Sequence, residues 1–197
     1  MVRELLLGPK RFTDLRAGLP GISSNILAER LDGLERAGVL RSSRLPPPAA
    51  SRVYELTGWG MELEPVVASL GRWGARTPWR PEDAGIGADA LVLSFGTMFD
   101  PRAAEGLEAS YELRLGEDRF RARVAGGRFE VSRGEADQPD AVFQAAPKTL
   151  AGLVYEGRDL DEALRSGDAK VEGDGSAVER FLTLFSLPEP AASAART

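Results

Sequence analysis

Apolar residues recur at helical spacing in the stretch GISSNILAERLDGLERAGVL, residues 21–40, where Ile26, Leu27, Leu31 and Leu34 form a packing stripe. Ile22 precedes Ser23 and Ser24, two good N-cap residues. Gly38 closes the helix, and Arg36 sits in its last turn, where the dipole favours a cation. Upstream, VRELLLG reads as a short apolar helix ending at Gly8, and RFTDLRAGL as a second one, started by Thr13 and stopped by Gly18 and Pro20. Downstream, VLRSSRL and SRVYELT read as the strands of a hairpin with the Pro-rich tip PPPAA. GMELEPVVASLGRWG then places Leu63, Val66 or Val67, Leu70 and Trp73 at helical spacing, with Pro65 in the tolerant first turns.

The pattern changes in the second half. GADALVLSFGTMF carries Leu91, Phe95 and Met98 or Phe99 on one side of a helix. LEASYELRLG, DRFRARVAG and GRFEVSRG alternate with period two: Tyr111, Leu113 and Leu115, then Phe120, Ala122 and Val124, then Phe129 and Val131. Gly116-Glu117 and Gly126-Gly127 mark the turns of an antiparallel meander with one buried face. DAVFQAA is a fourth strand. PKTLAGLVYEG, DLDEALRSG and GSAVERFLTLF are helices, with the short strand AKVEGD before the last. The expected fold class is α+β: an N-terminal winged helix-turn-helix domain plus a C-terminal antiparallel sheet backed by helices. The expected boundaries are 1–80 for the first domain, 81–88 for a Pro/Gly linker, 89–187 for the second domain and 188–197 for a flexible tail.

Composition narrows the chemistry. The 197 residues include neither Cys nor His, which excludes disulfides, thiol sensing, zinc fingers, imidazole acid–base catalysis and the Ser-His-Asp triad. No run of 18 apolar residues occurs, so no membrane span and a cytoplasmic location are expected. The net charge of −5 hides an asymmetry. Residues 1–80 hold 12 Lys+Arg and 8 Asp+Glu, net +4, whereas residues 81–197 hold 13 and 22, net −9. Such a division suggests two domains with different partners. In GDAKVEGD, Asp168, Lys170, Glu172 and Asp174 read as a solvated strand face and an N-cap, so neither a metal nor a cofactor is expected. The glycines of RVAGGRFEVSRG lack the Gly-Lys-Ser/Thr ending of a phosphate loop.

Two helices joined by a tight Gly-containing turn and followed by a hairpin describe a winged helix-turn-helix, a shape suited to double-stranded DNA. The major groove admits one helix, read from its N-terminal end. That end shows Ser23, Ser24 and Asn25, then Ala28, Glu29 and Arg30. Asn can pair with adenine, Arg with guanine, and Ala can touch a thymine methyl. Glu29 can accept from cytosine, or pair with Arg30 or Lys10 and read nothing. The hairpin offers Arg41, Ser43, Arg44 and Arg52 to phosphates, although any solvated hairpin is polar. With Lys10 and Thr13 these residues complete the expected DNA-binding set.

The blocks LLLGPKRFTDL, GISSNILAERLDGLERAGVL, YELTGWGMEL and LGRWG occur in order over residues 2–74. On them the chain resembles the HxlR-type winged-helix transcriptional regulators. The resemblance implies a homodimer with the Ser23–Glu35 helix in the major groove and paired half-sites. Members usually carry a helix before the LLLG block, often with Cys and Trp, whereas here Met1 lies within what should be the second helix.

Residues 90–187, on Pro139-Asp140-Ala141, SGDAKVEGD and the helix bearing Phe181, Leu184 and Phe185, resemble sterol-carrier-protein-like domains. That resemblance implies a cavity for a hydrophobic effector between sheet and helices. The candidate lining is Phe95, Phe99, Leu113, Phe120, Phe129, Phe143, Leu150, Val154 and Phe181, residues that can equally fill a close-packed core. The expected function is a DNA-binding, non-enzymatic regulator. The alternative is a hydrophobic-ligand carrier whose winged helix serves protein contacts.

Overall fold

The computed structural model describes residues 1–44, 51–77 and 85–192. The predicted hairpin tip at 46–50, linker residues 81–84 and tail residues 193–197 lie outside the described residues. The chain divides into two compact units, Met1–Val67 and Ala68–Thr197. None of the described helices is long and apolar enough to cross a membrane.

The first segment runs α1 (Val2–Leu5), β1 (Lys10–Arg11), α2 (Phe12–Ala17), α3 (Ser24–Arg36), β2 (Leu40–Arg44), β3 (Arg52–Leu56), α4 (Gly58–Met61) and α5 (Glu64–Ala75). The hairpin β2–β3 forms with Ser42 opposite Tyr54. Lys10 and Arg11 add a third antiparallel strand opposite Tyr54 and Val53, giving the order β1-β3-β2. Arg11 thus leaves the second helix, expected over RFTDLRAGL and started by Thr13; that helix starts at Phe12 instead, where the Asp14 carboxylate accepts the Arg11 N–H at 3.2 Å. Leu5, Leu15, Leu27, Leu31, Leu40, Tyr54 and Leu56 make the core.

The helix expected over 60–74 is two helices. Pro65 has no N–H to donate to Met61, so the run breaks at residues 62–63 and restarts at Glu64. Gly60 is fixed by space: a Cβ there would stand 2.0 Å from the Val39 carbonyl oxygen.

The second segment runs α6 (Ala88–Met98), β4 (Ala109–Leu115), β5 (Asp118–Ala125), β6 (Arg128–Arg133), β7 (Ala141–Ala145), α7 (Pro147–Tyr155), α8 (Leu160–Ser166), β8 (Ala169–Gly173) and α9 (Gly175–Leu182). The meander β4–β5–β6 is antiparallel, with Leu113 opposite Phe120 and Val124 opposite Phe129. The fourth strand departs from the expected antiparallel sheet. The order is β6-β5-β4-β7-β8, and β7 lies parallel to β4 with Leu113 beside Phe143. The outer edge of β6 stays unpaired in this sheet, and the chain crosses at residues 134–140 to the open edge of β4. The Ala136 N–H bonds the Glu112 carboxylate at 3.0 Å, and the Asp140 carboxylate accepts the Ser110 N–H at 2.7 Å.

Inward positions of the sheet meet α6 and α9 through rings packed tilted and edge to face. Phe181 lies 4.9 Å from Tyr111, 5.0 Å from Phe185 and 5.6 Å from Phe95 between ring centres. Asp174 caps α9, accepting from the N–H groups of Ser176 and Ala177.

Candidate nucleic-acid interface

Helix α3 is seated by Leu27 and Leu31, both fully buried, and opened by Ser23, whose Oγ accepts the Ile26 N–H at 3.3 Å. With that side pinned, Asn25, Ala28, Glu29 and Arg30 are exposed, and Ser24 is half-buried. Glu29 forms no ion pair among the described residues, so the expected alternatives of pairing with Arg30 or Lys10 are not taken. Ile26 differs from its expected role. Assigned to the packing stripe from sequence, it is 51% exposed and stands beside Asn25 and Glu29. The signal was available: the position four residues after Ile26 is Arg30 and the one seven after is Gly33, so its row is not the leucine row.

On the hairpin, the arginines divide. The Arg41 Nε donates to Glu55 at 3.0 Å. Arg52 donates to the Ser42 Oγ at 2.9 Å, lies 3.4 Å from Glu35, and stacks its guanidinium 5.2 Å over the Tyr54 ring. The Ser42 hydroxyl and N–H both donate to Glu35, holding its carboxyl below the usual carboxylate range. Arg44 is exposed and has no acidic partner among the described residues, and Ser43 is exposed beside it. Arg41 and Arg52 therefore brace the hairpin while Arg44 remains available to an anion.

Thr13 is exposed on α2 and donates to Asp14 at 3.2 Å. Lys10 corrects the expectation of a DNA contact. Strand β1 turns its side chain inward, where it is 7% exposed and its Nζ donates to Glu4 at 2.9 Å. Burial pushes the Glu4 carboxyl up, and the hydrogen bonds from Arg3 and Lys10 outweigh it, leaving the group below its ordinary value.

In the second unit, Phe95, Leu113, Phe120, Phe143, Leu150 and Phe181 are buried, and Phe99, Phe129 and Val154 are half-buried. Phe95, Phe99, Phe129 and Phe181 meet in one cluster with Phe185, with Phe95 and Phe185 stacked 4.5 Å apart and Phe99 and Phe129 at 5.7 Å. Phe120 stands instead under the Arg133 guanidinium at 5.0 Å. An open depression of about 460 Å³ lies elsewhere, between residues 101–108 and Gly126-Gly127. The Tyr155 and Ser94 hydroxyls share a 2.8 Å hydrogen bond, and burial pushes the phenol up to about 12. Among the described residues no group of three or more acidic side chains is placed to hold a metal ion.

Similarity to known proteins follows the same division. Residues 1–81 match the HxlR-like helix-turn-helix family, and residues 86–191 match the alkyl sulfatase C-terminal family. Over 79 residues the chain is 35% identical to the uncharacterized HTH-type transcriptional regulator YvaP of Bacillus subtilis, covering 40% of this chain and 71% of that one. Over 73 residues it is 34% identical to the HTH-type transcriptional regulator YodB of the same organism, covering 37% and 65%. The solved structure of the stereoselective inverting sec-alkylsulfatase Pisa1 from Pseudomonas sp. superposes with a TM-score of 0.51 at 18% identity. That match covers 55% of this chain but only 18% of the sulfatase, a likeness of fold. The chain belongs to the HxlR-like helix-turn-helix family of DNA-binding transcriptional regulators through residues 1–81, and to the alkyl sulfatase C-terminal family through residues 86–191.

Proposed function

We propose that the chain regulates transcription as a homodimer that places α3 in the major groove of an operator. The observation that carries this reading is the exposed first half of α3, held outward by Leu27 and Leu31. There Asn25, Ala28, Glu29 and Arg30 face base edges, Ser23, Ser24 and Thr13 lie at the approach to the phosphates, and Arg44 and Ser43 contact the backbone from the hairpin. Arg41 and Arg52 hold the hairpin in shape. Helix α5 supports the homodimer, because Val66, Leu70 and Trp73, spaced four and three apart on one side, are 53%, 61% and 75% exposed. In the second unit, taken as sterol-carrier-like, a hydrophobic effector would enter at the half-buried Phe99–Phe129 pair. It would alter DNA affinity only by binding two states of the dimer differently. No catalytic step belongs to this reading, since the sulfatase likeness extends to a small part of that enzyme.

The test titrates labelled duplexes from around the coding region at two salt concentrations, with sedimentation reporting the oligomer. A saturable, sequence-selective complex with a steep salt slope is expected. Replacing Asn25 or Arg30 by Ala removes about 1–3 kcal/mol of base discrimination. Arg44→Ala weakens all sequences alike and lowers the salt slope by about 1. Binding indifferent to both sequence and these substitutions overturns the reading in favour of a ligand carrier.

A further inference from the structure

We propose that Ile26 reads the 5-methyl group of thymine, so that the operator carries a thymine under the first turn of α3. The proposal rests on the major-groove placement of α3 and adds a specificity determinant to it.

Ile26 occupies the third residue of the helix, where its own N–H is tied to the Ser23 Oγ at 3.3 Å. The side chain is β-branched, which in a helix confines χ1 to one strongly preferred rotamer, so its Cγ2 methyl group points in a fixed direction. It is 51% exposed although Leu27 and Leu31 beside it are fully buried. The seat of the helix is thus complete without it. Its neighbours on the exposed side are Asn25, Glu29 and Arg30, all exposed, so the isoleucine is an isolated apolar spot among groups that hydrogen-bond.

The major-groove edge of an A·T pair has that same composition: an acceptor and a donor on adenine, an acceptor on thymine, and one methyl group. Cytosine carries no methyl group at that position, and reversing the pair moves the methyl to the other strand, so an apolar contact distinguishes both alternatives.

Gly33 adds a second observation. It lies seven residues after Ile26, two turns further along the same side, as the tenth residue of a 13-residue helix. Nothing lies within 4 Å of where its Cβ would stand, so packing does not require a glycine there. A glycine inside a helix weakens it, and here it leaves the surface flat beyond Ile26, allowing the groove wall to approach the backbone closely. Ala28, the residue for which the sequence suggested a methyl contact, is also exposed but carries a single carbon and no such reach.

The full chain first selects preferred duplexes from a randomised pool. Uracil then replaces each thymine in turn, which removes only the methyl group. Wild-type protein should lose about fourfold in affinity at one or two positions per half-site, the worth of one buried methyl group. Ile26→Ala should bind the thymine duplex about as weakly as wild type binds the uracil duplex, and should not distinguish the two. Ile26→Val should retain part of the discrimination. Because the base substitution leaves the protein untouched, the wild-type uracil effect does not depend on how well the variants fold. Selection that yields a preferred sequence, with no uracil effect or with an equal effect in wild type and Ile26→Ala, overturns the proposal and leaves the DNA reading standing. Selection that yields no preferred sequence removes the DNA reading, and the proposal with it.

Discussion

The two segments use their large apolar side chains in opposite ways. In residues 1–77 a small leucine core suffices, and Ile26, Trp59, Met61, Val66, Leu70 and Trp73 stay exposed. In residues 85–192 the phenylalanines turn inward onto one another, and Leu164, at 37%, is the exposed large hydrophobic side chain among the described residues. Residues 1–77 keep apolar chemistry outside as well as in their core, whereas residues 85–192 use it to hold sheet and helices together. The residues most conspicuous in the second half are therefore evidence of fold first, and of a ligand only if the rings can part.

The largest expected effects test that contrast directly. Phe181→Ala removes a ring packed on Phe95, Tyr111 and Phe185, and should cost about 3–5 kcal/mol in urea unfolding of the second unit while leaving duplex selectivity unchanged. Leu27→Ala should cost a similar amount in the first unit and abolish selectivity, because α3 loses its seat. If Phe181→Ala proved neutral, the ring would line open space and the contrast between the segments would fail.

Lys10→Met is next. Glu4 is 3% exposed, and losing its partner leaves a buried carboxylate tied only through Arg3, at a cost of about 3 kcal/mol. Adding Glu4→Leu should recover most of that loss. A lysine that contacted phosphate would behave differently, lowering the salt slope with no change in urea midpoint. Since the folded-state Glu4 carboxyl lies below its ordinary value, its stabilisation is full above that value. It disappears as pH falls through the lowered one, so the Lys10→Met penalty should shrink in acid.

These outcomes reflect how legible each feature was. The span of α3, its Ser23 cap, the hairpin and the period-two strands follow from local spacing and capping, and all of them form. The parallel placement of β7 did not follow, because strand alternation fixes which face is buried but not which edge a strand joins. Lys10 does not follow from residue type, because the inward register of a two-residue strand and a buried Glu4 decide its position. Ile26 departs in the opposite direction, because an apolar residue next to the leucine stripe need not share its face.

The smallest effects compare the two helix caps. Ser23→Ala should destabilise the first unit by about 1 kcal/mol, because the Ile26 N–H loses its acceptor, and should weaken operator binding if the proposed placement of α3 holds. Asp174 plays the same part for α9, and bonds from the Ser176 hydroxyl and the Ala177 N–H hold its carboxyl below the ordinary range. The two caps should separate with pH. A serine hydroxyl does not titrate, so the Ser23→Ala penalty should be the same at pH 7 and near pH 3. The contribution of the Asp174 charge is present above the ordinary carboxyl value and fades as pH falls through its lowered value, so Asp174→Asn should differ from wild type at neutral pH and converge on it in acid. Urea midpoints of the two variants at both pH values measure this. A Ser23→Ala penalty that also vanished in acid would mean that a titrating group holds the start of α3 in place of the hydroxyl.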